Sequence, residues 1–295
     1  MIIKEERLLN GITSIKRFTQ DEVNRRVTQL RNSKVKFGSS KSNGLGDSVE
    51  SALTSQDLPA VSSSPMQELI DQPGSLPPYS IVLGKCSDNL PLTMELSNPE
   101  PGSILITGDT ECGKKRLLKS ILSSAALLNK AKKLEFTVIT DDPGEYIDHA
   151  RLPNNSQVLS VDDLQSKEFI VTLLNRVEIR RNRKSHDPVI VLAIDDLARF
   201  VQYMDYDMTF KLFRLIRHGP RSRIWIIASL PAGKADEIHV RLFDAFRTLL
   251  IGKIASLLLA SRLTGEDSSP ATDLIGGDQF CVPVNGSWIE FVIVD

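Results

Sequence analysis

The chain has 295 residues, with 36 Lys and Arg against 37 Asp and Glu, a formal net charge of -1, and 41% hydrophobic and 25% charged residues. That balance suits a soluble globular chain of one large or two small domains and excludes a globally basic nucleic-acid coat, so any DNA contact has to come from local patches. Cys86, Cys112 and Cys281 form no C-x-x-C pair, and neither a membrane-length apolar run nor a signal-peptide core occurs. This points to reduced thiols in a cytoplasmic protein without a membrane span.

In residues 4–33, Leu8, Leu9, Ile12, Ile15 and Phe18, then Val23, Val27 and Leu30, predict one or two amphipathic helices broken near Gln20-Asp21. Their basic excess of Lys16, Arg17, Arg25, Arg26 and Arg31 reads either as a solvated face or as a partner contact. From Ser39 to about Pro78 the chain is rich in Ser, Gly, Pro and Asp, which predicts a flexible linker. The expected organisation is a helical segment over 1–38, a linker over 39–78 and a folded domain over 79–295.

Ile81 to Lys85 and Leu90 to Leu96 predict a hairpin leading into the stretch on which the domain is organised. There, the β-branched run Ser103-Ile104-Leu105-Ile106-Thr107 feeds Gly108-Asp109-Thr110-Glu111-Cys112-Gly113-Lys114. Leu117, Leu118, Ile121 and Leu122 then recur at helical spacing. Strand, glycine loop and helix in that order form a P-loop: backbone N–H groups converge on phosphate oxygens at a helix N-terminus, and Lys114 reaches the β- and γ-phosphates. The next residue should be Ser or Thr, whose hydroxyl holds Mg2+, but it is Lys115, followed by Arg116. A glycine turn that binds nothing is the alternative.

Glu135 to Thr140 and Gln157 to Val161 read as further strands, and Leu164 to Arg183 as a helix. That helix ends in Arg176, Arg180, Arg181, Arg183 and Lys184, which the helix macrodipole alone would favour. Pro188 to Ile194 is an apolar strand ending in Asp195-Asp196. An acidic pair taken alone could as well cap the helix beginning near Leu197, but downstream of a P-loop Asp195 suits Mg2+ and Asp196 suits polarisation of the attacking water. Ser222 to Pro231 reads as a further buried strand whose end lies beside the phosphates if the sheet is parallel, which makes Ser229 a candidate γ-phosphate sensor. Leu249 to Gly252 adds a strand, and the last two strands form a hairpin around Asn285-Gly286.

The order of these features over 79–295 resembles the motor domain of FtsK/SpoIIIE DNA translocases and their HerA relatives. Leu83-Gly84-Lys85 with Leu90-Pro91 looks like the strand pair before the P-loop, and Arg221 to Pro231 like the strand ending in Ala-Thr-Gln-Arg-Pro. Ser261-Arg262 and Leu274-Ile275-Gly276-Gly277-Asp278-Gln279-Phe280 are similar to the segments before the final strands. The loop from Gly108 to Lys114 also looks like that of the EccC ATPases of type VII secretion. The resemblance implies an α/β, RecA-like P-loop NTPase domain with a mostly parallel sheet flanked by helices and a C-terminal β-hairpin. It implies ATP or ADP bound by residues from Gly108 to Arg116 and DNA as partner. It also implies a homo-oligomer, or a hetero-oligomer with an intact ATPase, in which a neighbour supplies an arginine to the γ-phosphate; Arg221 and Arg223 are the candidates. Lys115, Asp196 and Ser229-Leu230 depart from the family pattern and imply impaired hydrolysis. The alternative is a non-hydrolysing structural or regulatory subunit of an EccC-like secretion complex or a DNA-processing complex.

Overall fold

The computed structural model describes residues 15–17, 64–72, 76–182 and 188–295. In chain order they form β1 Ile15–Arg17, α1 Pro65–Asp71, β2 Ser80–Cys86, β3 Pro91–Glu95, β4 Ile104–Gly108, α2 Lys114–Leu128 and β5 Leu134–Thr140. Next come α3 Ile147–Ala150, β6 Asn155–Ser160, α4 Leu164–Asn182, β7 Val189–Ile194, α5 Leu197–Gln202, α6 Tyr206–His218 and β8 Ile224–Pro231. The chain ends with α7 Val240–Ala245, β9 Thr248–Gly252, α8 Leu257–Thr264, β10 Gln279–Val284 and β11 Ser287–Val292. Two 3-10 turns bear on the site, Pro143–Tyr146 after β5 and Ala232–Glu237 after β8.

The strands make one 11-stranded sheet in the order β1-β3-β2-β11-β10-β9-β4-β8-β7-β5-β6. The run from β9 to β6 is parallel, and the remaining strands add antiparallel. The near-continuous apolar runs of β4, β7 and β8 follow from burial on both faces. Ile104 and Ile106 enter one core with Leu117, Leu118 and Ile121 of α2. Leu105 enters the other, with Ile170 and Leu173 of α4 and Leu212 and Leu215 of α6. Successive side chains of β7 divide in the same way, Val189 and Val191 to the first core, Ile190 and Leu192 to the second, as the period of two requires. The hairpin turn has Asn285 at φ 51° and Gly286 at φ 76°, the left-handed pair that matches strand twist.

Two expectations change. Ile15–Arg17 is a strand rather than helix, antiparallel to β3 with Ile15 opposite Met94 and Arg17 opposite Leu92. It covers backbone groups that β3 would otherwise leave unpaired at the sheet edge. The rest of the expected N-terminal helices lies outside the described residues. Within the expected linker, α1 is an ordered helix: Gln67 N–H donates to Ser64 Oγ at 3.3 Å, Pro65 sits in the first turn, and Met66, Leu69 and Ile70 bury against Val82 and Val294. Each such side chain contributes roughly 1.5–3 kcal/mol, enough to override the local composition. Among the described residues, no helix is long and apolar enough to cross a membrane.

Candidate functional site

The parallel strands β4, β8 and β7 end together at the carboxyl edge of the sheet, with Gly108 opposite Pro231 and Ile194 opposite Ala228. That register brings the loop 109–113, Ser229 and the Asp195-Asp196 pair to one place, where open α/β sheets bind ligands. Gly113 caps α2 at φ 90°. A Cβ there would lie 1.9 Å from the carbonyl oxygen of Gly277, so the Gly-Gly-Asp segment near the C-terminus closes over the start of the helix and only glycine fits. Glu111, at φ 67°, holds the loop in the left-handed region without a glycine.

The first turn of α2 carries Lys114, Lys115 and Arg116 and no acid, which sets three cations against the positive end of the helix dipole. Each is held by something else. The buried Lys114 ammonium donates to the carbonyls of Asp109 at 2.6 Å and Gly108 at 3.2 Å. Arg116 Nε donates to Asp295 at 2.7 Å, and Arg116 also pairs with Asp278. Lys115 Nζ lies 3.3 Å from Asp195 and 3.3 Å from Glu145. Asp109 is fixed by its N–H, which donates to Lys253 O at 2.9 Å, and by its carboxylate, which accepts from Ala255 N–H at 2.7 Å. Thr110 and Glu111 are exposed, whereas Cys112 is buried and its thiol is pushed up by burial.

Asp195 is 3% exposed and accepts from Thr140 Oγ1 at 3.3 Å and Ser229 Oγ at 3.4 Å in addition to Lys115. Burial pushes its carboxyl up; the Lys115 ammonium opposes this. For Lys115, burial works against the charge, but Asp195 and Glu145 outweigh it and the net shift is upward. Glu145 is held low by the hydrogen bond from Lys119, at 3.1 Å, and then by that from Lys115. Tyr146 is buried, and burial followed by the charge of Asp195 keeps its phenol protonated.

Asp196 takes the capping role: it accepts from Arg199 N–H at 3.0 Å with φ at 67°. Its second oxygen pairs with Lys234 at 3.0 Å, and its own N–H donates to Ser229 Oγ at 3.0 Å. A cleft of about 570 Å3 opens beside it, lined by Asp109, Thr110, Asp196, Pro231, Gly233 and Lys234. Gly108 to Lys115, Asp195, Asp196 and Ser229 therefore meet. Arg221 and Arg223 do not: they precede β8, at the opposite end of a strand that spans roughly 25 Å. Arg223 stacks over Tyr79, 5.3 Å from the ring centroid. Glu145 and Lys234 escaped the sequence reading, because nothing in a turn after β5 or β8 announces that it folds back on the phosphate loop, and Lys119 escaped it because its place in α2 does not show that it faces Glu145.

The family described as "Ethanolamine utilisation - propanediol utilisation" (PduV-EutP) matches residues 102–181, from just before β4 into α4 and short of Asp195 and Ser229. No curated protein matches the sequence. Among solved structures, EssC (ATPases 2 and 3) from Geobacillus thermodenitrificans is similar over 75% of this chain and 46% of that chain, at 17% identity and a TM-score of 0.62. EccC (ATPases 2 and 3) from Thermomonospora curvata, in complex with a signal sequence peptide, is similar over 73% of this chain and 42% of that chain, at 16% identity and a TM-score of 0.60. The pCW3 conjugation coupling protein TcpA with ATPgS is similar over 77% of this chain and 68% of that chain, at 14% identity and a TM-score of 0.60. The chain thus spans under half the length of the EssC and EccC chains it matches.

Proposed function

We propose that this chain, which has the fold of the FtsK/HerA-type P-loop ATPases, is a nucleotide-binding subunit that holds ATP or ADP at the loop from Gly108 to Lys114 and turns it over slowly or not at all. It works in an oligomer with copies of itself or beside an intact ATPase. The observation that carries this reading is the Lys115–Asp195 ion pair at 3.3 Å.

The residues present fit a nucleotide. Left-handed glycines let the loop backbone turn its N–H groups toward phosphate, and Lys114, the first residue of α2, has its ammonium on loop carbonyls that a phosphate can replace. They do not fit Mg2+. An ammonium has no lone pair to give a metal, and it occupies the carboxylate that a metal would need. Asp196, capping α5 and paired with Lys234, is not poised to take a proton from water.

For the polymer that the assembly moves, the guanidinium groups around His218 favour DNA. A secretion role is the second reading, favoured by the likeness to EccC, which was solved with a signal sequence peptide. Arg221 and Arg223 are remote from the loop of their own chain, which leaves an arginine supplied to a neighbouring copy's phosphates as part of this proposal.

Calorimetry on the full chain tests the nucleotide reading. ATP and ADP are expected to bind with dissociation constants of about 1 μM to 1 mM, equally with Mg2+ or EDTA, and Lys114→Ala is expected to abolish binding. Lys115→Thr should introduce a dependence on Mg2+. Robust Mg2+-dependent hydrolysis by the unmodified protein, lost in Asp195→Ala, would overturn the proposal.

A further inference from the structure

Each carboxylate of the Asp195-Asp196 pair has its own lysine, brought from a different element. Lys115 comes from the first turn of α2, and Lys234 from the 3-10 turn after β8. That turn is braced on both sides, by Gln202 Nε2 donating to Glu237 at 3.2 Å and by Arg262 pairing with Asp236 at 2.9 Å, while Ala232 is buried beneath it. Lys234 therefore projects from a fixed support. It lines the cleft opposite Asp109 and Thr110, the first residues of the phosphate loop, while Lys114 and Lys115 lie on the helix behind that loop. Together the Lys115 and Lys234 ammonium groups carry the charge of one divalent cation. They sit on the two acids that would otherwise repel an incoming polyphosphate.

We infer that Lys234 is the residue by which this cleft distinguishes a nucleoside triphosphate from a diphosphate, its ammonium taking the terminal phosphate in place of a metal ion. The inference rests on the nucleotide reading above. The loop backbone takes the α- and β-phosphates and Lys114 reaches the β- and γ-phosphates, so Lys234 is the added ammonium that only a third phosphate group engages. Lys234 enters the cleft from the β8 side. An ammonium has three donors, so one can stay on Asp196 while the others reach phosphate oxygens. Asp196 then serves as the residue that positions Lys234.

The test is calorimetry of ATP and ADP in excess EDTA on the full chain, comparing the parent with Lys234→Met and Lys234→Arg. Lys234→Met is expected to weaken ATP by about tenfold or more, the loss of one charge-assisted contact, and to leave ADP unchanged. Lys234→Arg is expected to keep most of the preference. Equal affinity for ATP in the parent and Lys234→Met, or equal weakening of both nucleotides, would overturn the role of Lys234 alone. Saturable binding of neither nucleotide by the parent would overturn the nucleotide reading and this inference together.

Discussion

Removing the Lys115 ammonium leaves Asp195, at 3% exposure, to the hydroxyl groups of Thr140, Ser229 and Tyr146 for its charge. Burial already pushes that carboxyl above its ordinary value, and Lys115 is the main opposing influence. In Lys115→Met the native carboxyl titrates higher still, while the unfolded one does not move. A native pKa above the unfolded one gives stability that is complete below the unfolded pKa and lost as pH rises through the native pKa. Glu145 loses one of its two lysines and shifts in the same sense. Lys115→Met is therefore expected to be close to the parent near pH 4 and about 1–2 kcal/mol less stable near pH 8, a modest figure because Lys115 is itself partly solvated. Urea unfolding at the two pH values decides this; the same destabilisation at both would show that the pair does not control Asp195.

Among the elements, the C-terminal turns of α4 show which of the expected basic cluster is structural. The Arg180 guanidinium donates to the carbonyls of Ser222 at 2.8 Å, Arg223 at 3.3 Å and Pro188 at 3.0 Å, and so ties the helix to the entries of β7 and β8. Arg176 makes one exposed pair with Glu135 at 3.1 Å. Arg180→Met is expected to cost about 1–3 kcal/mol, since several carbonyls lose a charged donor, whereas Arg176→Met should cost under about 1 kcal/mol. Chemical denaturation of the two variants separates these roles. Equal and small losses would mean that water replaces Arg180 without penalty. The expected preference of cations for a helix C-terminus holds here, but its larger effect is to lock two strands whose far ends carry Asp195 and Ser229.

Over the whole molecule the charge is uneven despite a net value of -1. At the carboxyl edge of the sheet lysines and acids are matched in pairs, whereas Arg181, Arg214, Arg217 and Arg221 lie around His218 near the end of α6. The imidazole pKa is lowered first by burial and then by these guanidinium groups. Arg181 and Arg214 share Glu178, at 3.5 Å and 3.1 Å, whereas Arg217 and Arg221 make no ion pair among the described residues. If this patch meets DNA, binding should be independent of sequence, fall steeply with salt as counterions are released, and weaken in Arg217→Ala and Arg221→Ala. Gel shifts from low to physiological salt test it. No retarded species at the lowest salt would remove DNA as the partner and leave the secretion reading.

The sequence by itself determined the strands, the glycine loop and the acidic strand end, because alternation, helical spacing and turn residues act over a few positions. β4, α2, β7, β8 and the final hairpin could be read from such local patterns. Lys115 could also be singled out, since the residue after a P-loop lysine has a defined chemical task. Only the tertiary structure decided what each charge does. The parallel register of β4, β8 and β7 turns Asp195, Ser229 and Lys115 into neighbours, and the 3-10 turns after β5 and β8 carry Glu145 and Lys234 back onto the same edge. It also made Asp196 a helix cap, sent Arg221 and Arg223 to the far end of β8, and docked α1 from a stretch whose composition spoke for a linker. Ion pairs form between residues tens of positions apart, and their partners are set by how the sheet is ordered, which no local pattern records.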